Sequence, residues 1–381
     1  MSSRRLMVAA GAMMTLLASA TLSSTAVAAD GTSTTAGADS TYRIFLHGFL
    51  SDGIDSYTAS DSTKPQFVQT TKGTGSGDWA VVPSPNGKFM YAPGGDKKLR
   101  VYSIGADGRL TALPQATGTL SDMPVDMAFS PDGKYGYVTV GLLNSKVEVF
   151  AFQPDGTPVP VDAPKSLGSV TLAMPTVSPD GRNLYVTNYG AKQVMRYALR
   201  SDGTIGGLQE TESTTDLGAI FATFTPDGRH LYVANEMGAD VAAFNVAADG
   251  SLTPVPGSPF KAGNLPHAMV PSHDGKYLYV PNTGSNSISA YAIQDDGVLK
   301  ELPGSPFAGG PDGTAPEMAV LSPSGKVLWD ADSVPADGFG LPTVALHKFD
   351  VRPDGSLVRD DSATVKTDKV FADGRGTSLI P

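Results

Sequence analysis

The chain has 381 residues, of which 28 are basic and 38 are acidic, and its formal net charge at pH 7 is −10. An acidic chain without a basic cluster argues against nucleic acid and anionic membranes as partners. Because the sequence contains no cysteine, neither disulfide bonds nor thiolate chemistry is available to it.

The N-terminus is typical of a secretory signal. Residues 1–29 combine Arg4 and Arg5 with an apolar stretch and an Ala-x-Ala processing site. The apolar run is rich in alanine and serine, which favours a cleaved signal over a membrane anchor. We therefore expect a secreted, extracellular protein with no membrane span after processing. The general secretory route is favoured over the twin-arginine route that the two arginines also permit.

Residues 30–41 read as a flexible polar lead-in, and residues 42–381 as one large all-β domain. Within that domain one phrase recurs six times, about every 47 residues, as repeated blades do. It reads Ser-Pro-Asp-Gly-Lys/Arg, two variable residues and Tyr-Val, as in SPDGRNLYV. The copies begin at Ser84, Ser130, Ser178, Thr225, Ser272 and Ser322.

A second phrase with an Asp-Gly turn follows each copy, as at Asp249-Gly250. Asp-Gly between apolar runs is a strong hairpin signal, because both residues tolerate a positive φ. Each repeat therefore predicts four antiparallel strands, A to D, which make one blade of a β-propeller. We number the blades from one to six, starting with the repeat at Ser84.

The two ends of the chain predict a seventh blade. Phe45 and Tyr57 continue the aromatic positions of strands B and C, but no strand A precedes them. The C-terminal GTSLIP resembles the PHAMVP segment that opens the repeat at Pro266. We therefore predict an all-β, seven-bladed propeller with four-stranded antiparallel blades, closed by a C-terminal strand that joins the N-terminal blade. Because a closed ring needs no partner, we expect a monomer.

The segments PDGRNLYVTN and, twice, PGSPF resemble the YVTN-type repeats of the lactonase-like seven-bladed propellers. That family includes the propeller form of 6-phosphogluconolactonase, and the resemblance spans residues 42–381. It implies hydrolysis of a lactone. The family usually carries Gly-Pro-Arg-His at the start of a strand A and Asn-Glu on strand B of the same blade. Here Asn235-Glu236 matches, whereas the preceding segment reads Gly218-Ala219-Ile220-Phe221.

Connectivity indicates where a site lies. The PDG and Asp-Gly turns share one face, the turn face, whereas the D-to-A and B-to-C loops share the other, the loop face. The longest loops fall around the sixth blade, and functional residues concentrate on such loops. At the start of strand A, blades two to four carry apolar or small residues. Blades five, six and seven carry His267, Glu317 and Thr377.

His267 and Glu317 are the candidate catalytic pair, because a histidine and a carboxylate on neighbouring strands can orient each other for acid–base work. Trp79 offers a stacking surface, and Arg375 is the one cation nearby that suits a phosphate. Asp330 and Asp332 are expected to open the long loop of blade six. The candidate substrate-binding residues are Trp79, Asn235, Glu236, Asp330, Asp332, Arg375 and Thr377.

Each candidate also has a structural interpretation. His267 fits a channel-lining histidine bonded to backbone, Glu317 a solvated loop carboxylate, and Asp330 and Asp332 turn formers. His347 occupies the aromatic position of strand C, where packing is expected. His267 and the three carboxylates are also ligand types that suit a divalent cation, but no spacing rule supports one, so no cofactor is predicted.

Three functions remain open. The first is an exported lactonase-like hydrolase acting on a cyclic ester at the loop face near blades five to seven. The second is a non-catalytic propeller that binds an extracellular protein, a glycan or a cell-wall component. The third is a cyclase or isomerase acting on an organic acid, because the fungal carboxymuconate-cyclizing enzymes resemble the same family. Substrate identity does not follow from the sequence.

Overall fold

The structure is a computed structural model that describes residues 40–75, 77, 80–168, 170–311, 313–334, 341–371 and 377–381. The predicted signal, residues 1–29, lies outside the described residues, and the first strand begins at Tyr42. Seven antiparallel sheets succeed one another around a ring, and the innermost strand or its neighbour in each sheet contacts the next sheet. The predicted seven-bladed propeller of four-stranded blades is confirmed.

The strands follow the order A-B-C-D in every blade, and in blades one, two, four and five a short extra strand also pairs with strand C. The strands at the N-terminus are β1 (Tyr42–His47), β2 (Ile54–Ser60) and β3 (Thr63–Thr71). Blade one has β4 (Val82–Pro83), β5 (Phe89–Gly94), β6 (Lys98–Ile104), β7 (Leu110–Ala112), a short 3-10 helix (Pro114–Ala116) and β8 (Gly118–Thr119). Blade two has β9 (Pro124–Phe129), β10 (Tyr135–Val140), β11 (Lys146–Phe152), β12 (Pro158–Pro160) and β13 (Lys165–Ser166).

The remaining blades repeat this plan. Blade three has β14 (Ala173–Val177), β15 (Asn183–Asn188), β16 (Gln193–Leu199) and β17 (Ile205–Ser213). Blade four has β18 (Ala219–Phe224), β19 (His230–Asn235), β20 (Asp240–Val246), β21 (Leu252–Pro254) and β22 (Phe260–Lys261). Blade five has β23 (Val270–Pro271), β24 (Tyr277–Asn282), β25 (Ser287–Ile293), β26 (Leu299–Glu301) and β27 (Phe307–Ala308). Blade six has β28 (Ala315–Leu321), β29 (Val327–Val334), β30 (Thr343–Val351) and β31 (Leu357–Val370), and β32 (Thr377–Ile380) completes blade seven.

The repeated tyrosine of strand B fastens each blade to the next. Tyr185 is fully buried, and its hydroxyl donates to the carbonyl oxygen of Gly250 in the Asp-Gly turn of the following blade. The same bond recurs from Tyr91, Tyr137, Tyr232 and Tyr279. Burying a hydroxyl group without a hydrogen-bond partner costs free energy. The repeat avoids this cost, because each buried tyrosine ring comes with a carbonyl oxygen that accepts from its hydroxyl. Gly250 has φ +86°, and a Cβ there would lie 2.9 Å from the Tyr185 hydroxyl.

The ring closes as predicted. Strand β32 pairs antiparallel with β1, from Arg43 opposite Ile380 to Leu46 opposite Thr377. Blade six lacks the tyrosine, and Trp329 takes its place by donating its indole N–H to the Tyr42 hydroxyl of blade seven at 2.9 Å. A buried ion pair adds to this joint, because Lys369 Nζ lies 3.0 Å from Asp55 Oδ1.

The turn face carries a groove of about 350 Å³ between blades three and four, and Asp180, Asp227 and Arg229 are among the residues that line it. These belong to PDG turns, in which the serine or threonine hydroxyl binds the aspartate and the glycine has a positive φ.

No helix in the described part of the chain has the length and apolar character needed to cross a membrane.

Candidate functional site

His267 and Glu317 meet between blades five and six. Glu317 is the extra residue of a β-bulge in β28, because Pro316 pairs with Asp332 while Met318 pairs with Ala331. The bulge turns the carbonyl group of Glu317 toward blade five, where it accepts from the backbone N–H of Ala268 at 3.2 Å. The same oxygen lies 3.0 Å from His267 Nδ1, and Glu317 Oε2 lies 3.2 Å from that nitrogen. The predicted pairing of His267 with Glu317 is therefore present in the structure.

This contact fixes the form of the imidazole. Burial lowers the pKa of His267 to about 4, so the ring is neutral at pH 7. A carbonyl oxygen can only accept, so the proton of the neutral ring is on Nδ1 and Nε2 carries the lone pair. Nε2 is buried and forms no hydrogen bond with any described residue. The ring of Phe221 packs against the imidazole, with 4.6 Å between centroids.

Asp330 and Asp332 lie inside strand β29, which corrects their predicted place at the opening of a loop. The strand runs on through Val334, where it still pairs with Thr343 of β30. Both side chains are fully buried, and Glu317 is buried as well, so neither turn formers nor a solvated carboxylate describes them. Positions 330 and 332 share one face of the strand, since side chains alternate with period two.

His347 joins this face. It pairs with Asp330 across β29 and β30, and its Nε2 lies 3.7 Å from Asp332 Oδ2. Burial lowers the pKa of His347, with the Asp332 carboxylate acting in the opposite direction. Gly310 leaves just enough room for this arrangement, because a Cβ there would lie 2.7 Å from Asp332 Oδ2 and 2.8 Å from His347 Nε2. His347 therefore contacts an ionisable group as well as filling the aromatic position of strand C.

The two aspartates are electrostatically unequal. Burial raises the pKa of Asp330 well above its ordinary value, and the neighbouring Asp332 and Glu317 carboxylates raise it further. Burial also raises the pKa of Asp332. Its ionised form, however, is favoured by four neighbouring groups, which are Asp330, His347, the Thr314 hydroxyl and the Gly310 N–H. Neither oxygen of Asp330 forms a hydrogen bond with a donor in the described residues. Asp330 is therefore the member of the pair whose protonated form is more strongly favoured.

The other predicted residues are distributed as follows. Thr377 begins β32 and is buried, and its hydroxyl has no hydrogen-bond partner among the described residues. Asn235 donates through Nδ2 to the carbonyl oxygen of Thr214 at 2.8 Å and to Asp240 Oδ1 at 2.7 Å, so its amide group mainly holds the loop. Trp79 and Arg375 lie outside the described residues.

Glu236 forms a second buried acidic position, in blade four. Burial raises its pKa to about 7, and the hydroxyl of Tyr189 acts in the opposite direction. Its Oε2 forms no hydrogen bond of ordinary geometry with a described residue. The nearby carboxyl of Asp240 also has a pKa raised by burial, to about 6. The Asn-Glu motif therefore places a group on the loop face that can exchange a proton near neutral pH.

Replacing Glu236 with glutamine is expected to stabilise the protein relative to the parent chain by an amount that increases with pH. The folded state holds the Glu236 proton more tightly than the unfolded chain, so its stabilising effect is complete below about pH 4.5 and is lost as pH rises toward 7. The stability of E236Q relative to the parent chain should rise by roughly 3 kcal/mol across that window. Urea denaturation between pH 4.5 and 8 measures it.

The contribution of Glu236 is obtained from the difference in the free energy of unfolding between E236Q and the parent chain. His267 has a lowered pKa, so its own contribution increases as pH rises from about 4 to its unfolded value and opposes the Glu236 effect. The parent chain alone can therefore show a flat profile. A stability difference between E236Q and the parent that does not change with pH contradicts the assignment.

Within the described residues, no group of three or more histidine, aspartate or glutamate side chains is arranged to hold a metal ion.

The structure also places three residues beside the candidate site residues that the sequence did not assign to the site: His347, Tyr189 and Asp240. For His347 a signal existed, because a histidine replaces the repeated aromatic residue of strand C. Tyr189 and Asp240 have no such signal. Both follow strand B of their blade, and because every blade has residues in that position, the sequence does not single these two out.

The chain matches the family described as Lactonase, 7-bladed beta-propeller over residues 68–222 and 174–332, which together cover more than half of its length. No curated protein matches it. Among solved structures, a candidate 6-phosphogluconolactonase of Bacteroides uniformis is 20% identical, with TM-score 0.71, 90% of this chain covered and 100% of the other. A candidate 6-phosphogluconolactonase of Bacteroides fragilis is 18% identical, with TM-score 0.70 and coverages of 91% and 99%.

The periplasmic gluconolactonase of Pseudomonas aeruginosa is 19% identical, with TM-score 0.72 and coverages of 90% and 99%. Identities this low support a shared fold and carry no residue roles from those proteins to this one. The match to the family, by contrast, extends from the end of β3 to strand β29, through the blades that hold His267 and Glu317. The chain therefore belongs to the lactonase family of seven-bladed β-propellers.

Proposed function

We propose that this protein is an exported hydrolase that opens a cyclic ester at the loop face, with His267 as the general base. The observation that carries the proposal is the state of His267: Nδ1 is held by Glu317, and Nε2 is basic, buried and without a partner in the described residues. A buried polar atom left unbonded costs free energy, so such atoms concentrate at functional sites.

The geometry supports the following reaction. His267 Nε2 takes a proton from water while the water oxygen forms a bond to the lactone carbonyl carbon. The bond from that carbon to the ring oxygen then breaks, and the imidazolium returns the proton to the departing alkoxide. The Glu317 carboxylate, 3.2 Å from Nδ1, stabilises the imidazolium that exists between the two steps. The buried Asp330 belongs to the next blade, and its carboxyl interacts with that of Glu317. In its protonated form, which burial favours, it supplies a hydrogen-bond donor for developing negative charge.

The other parts of the proposal rest on sequence and on relatives. The N-terminal 29 residues support export, and the closed ring supports a monomer. The names of the similar structures, 6-phosphogluconolactonase and gluconolactonase, support a lactone as the substrate class. The proposed reaction needs no metal ion, since His267 and Glu317 supply the base and its orientation.

Hydrolysis of a panel of lactones by the mature protein, followed by pH-stat, tests the proposal. His267→Gln is expected to lower kcat by about 10²–10⁴-fold, the usual contribution of a general base. His273→Gln is the matched control, because that histidine lies on the turn face and binds the carbonyl oxygen of Ser322. Circular dichroism establishes that both variants fold.

The pH profile adds a second readout. The neutral form of His267 predominates above about pH 4, so kcat/KM should be level on the alkaline side and should fall as pH drops through that value. Activity that persists in H267Q, or that chelator abolishes, contradicts the mechanism.

A non-catalytic binding role is the second candidate, and one observation favours it. His267, Asp330 and Asp332 are all fully buried, whereas several apolar side chains of the loop face are exposed, among them Leu143 and Met237. Exposed apolar surface is typical of interaction sites. Absence of turnover on every ring size would support this role, and the mature protein would then be used to capture extracellular proteins or glycans.

A further inference from the structure

A second feature of the loop face lies in blade four, beside Glu236. The side chains of Leu217 and Met237, here called the Leu217–Met237 patch, are 47% and 57% exposed. Gly218 joins them to the buried carboxyl: its carbonyl oxygen accepts from the N–H of Glu236, and a Cβ at Gly218 would lie 3.1 Å from Met237 Cγ and 3.3 Å from Glu236 Cβ. The patch therefore borders the stem of the buried glutamate.

Strand β18 links the patch to the proposed catalytic base. Phe221 follows Gly218 by three residues in β18, and its ring packs on the imidazole of His267 at 4.6 Å. A regular strand rises about 3.3 Å per residue, and the pairing of β18 is irregular between Ala219 and Ala222, so at most about 10 Å of chain separates Gly218 from Phe221. That length corresponds to a substituent of several carbon atoms on a small ring.

The charges around the patch disfavour an anion. The pKa of Glu236 is shifted by burial and by the Tyr189 hydroxyl, with no cationic side chain among the causes. Asp216 and Asp240 lie close together on the adjoining loop, since the Asp216 charge raises the pKa of Asp240. Lys192 directs its ammonium group to the carbonyl oxygen of Thr215 at 3.3 Å. A phosphate or carboxylate would meet acidic groups here, whereas an apolar chain would gain from burial.

We propose that the Leu217–Met237 patch binds the alkyl substituent of an uncharged lactone, with the ring carried toward His267. This inference rests on the proposed hydrolase function and names its substrate class. It separates this protein from a sugar-phosphate lactonase, because the four residues 218–221 offer a glycine, an alanine, an isoleucine and a phenylalanine in place of a cation.

The experiment measures kcat/KM for γ-lactones with alkyl substituents of increasing length, beside gluconolactone and its 6-phosphate. Each buried methylene is expected to raise kcat/KM by up to about fourfold. The double variant L217S/M237S should lower kcat/KM for the long-chain lactones by about tenfold or more and affect the shortest far less. Leu208→Ser is the matched control, a leucine that is 50% exposed on β17, and it should leave the series unchanged.

Preference for the phosphorylated substrate, or a chain-length dependence that L217S/M237S does not alter, overturns the inference while leaving lactone hydrolysis intact. If no lactone is hydrolysed, the proposed function fails, and calorimetric titration with a non-hydrolysable alkyl lactam decides the binding question. Binding by the parent chain that L217S/M237S abolishes supports the patch as an alkyl site. Equal binding by both proteins, or none, overturns it.

Discussion

Deleting residues 377–381 is expected to destabilise the propeller by at least about 2–5 kcal/mol, the cost of removing one buried isoleucine or leucine side chain. Strand β32 supplies strand A of blade seven and pairs with β1 over four residues. Ile380 is buried in a cluster that joins blade seven to blade one and includes Phe45, Val81 and Met90. The deletion removes that side chain and leaves β1 as an unpaired edge, which invites aggregation.

Urea denaturation and size-exclusion chromatography measure the two effects. Deleting Pro381 alone is the control, because this exposed residue follows the strand. Thr377→Val is a second control: it keeps the strand and replaces a buried hydroxyl that has no partner among the described residues, so we expect no loss of stability. A truncated chain that is as stable and as monomeric as the parent would contradict closure by β32.

Replacing Asp330 with asparagine is expected to stabilise the protein increasingly as pH rises. The folded-state pKa of Asp330 lies above its unfolded value, so its contribution is complete below pH 3.8 and is lost as pH rises toward the folded pKa. Asparagine has no proton to lose, so the side chain stays neutral at every pH. The advantage of D330N should grow by about 1.4 kcal/mol per pH unit within that window and then level off.

Asp332→Asn is the matched control. Asp332 has a histidine, a hydroxyl and a backbone N–H that favour its ionised form, so neutralising it should give a smaller gain. The measurement is the urea midpoint of the three proteins from pH 4 to 9, with and without chelator. If a bound cation rather than a proton compensates the carboxylates, D330N would instead lose stability and the parent would respond to chelator.

The repeats explain why so much of the fold could be predicted. Each PDG turn and each Asp-Gly turn is local, since the required φ values and side chain to backbone bonds lie within a few residues. Six such copies fix the number and order of strands, and the remaining aromatics at Phe45 and Tyr57 require a seventh blade. The inter-blade bond from Tyr185 to Gly250 also depends on the repeat, because both residues occupy constant positions in it.

The candidate site was less predictable, because its chemistry depends on contacts between blades. The sequence placed His267 and Glu317 at the starts of adjacent strands, but the bulge that turns the Glu317 carbonyl toward His267 has no sequence signal. The same limit explains the wrong placement of Asp330 and Asp332. The sequence does not distinguish a long loop from a β-hairpin whose strands continue. The structure does, because β29 and β30 remain paired as far as Val334 and Thr343.

The sequence by itself determined the propeller, its closure and the sector of the loop face that holds polar side chains, because these follow from local turns and a fixed repeat. The tertiary structure alone decided which of these side chains are buried and what they face. Burial depends on neighbouring blades that are distant in sequence, and it is burial that lowers the pKa of His267 to about 4 and raises that of Glu236 to about 7.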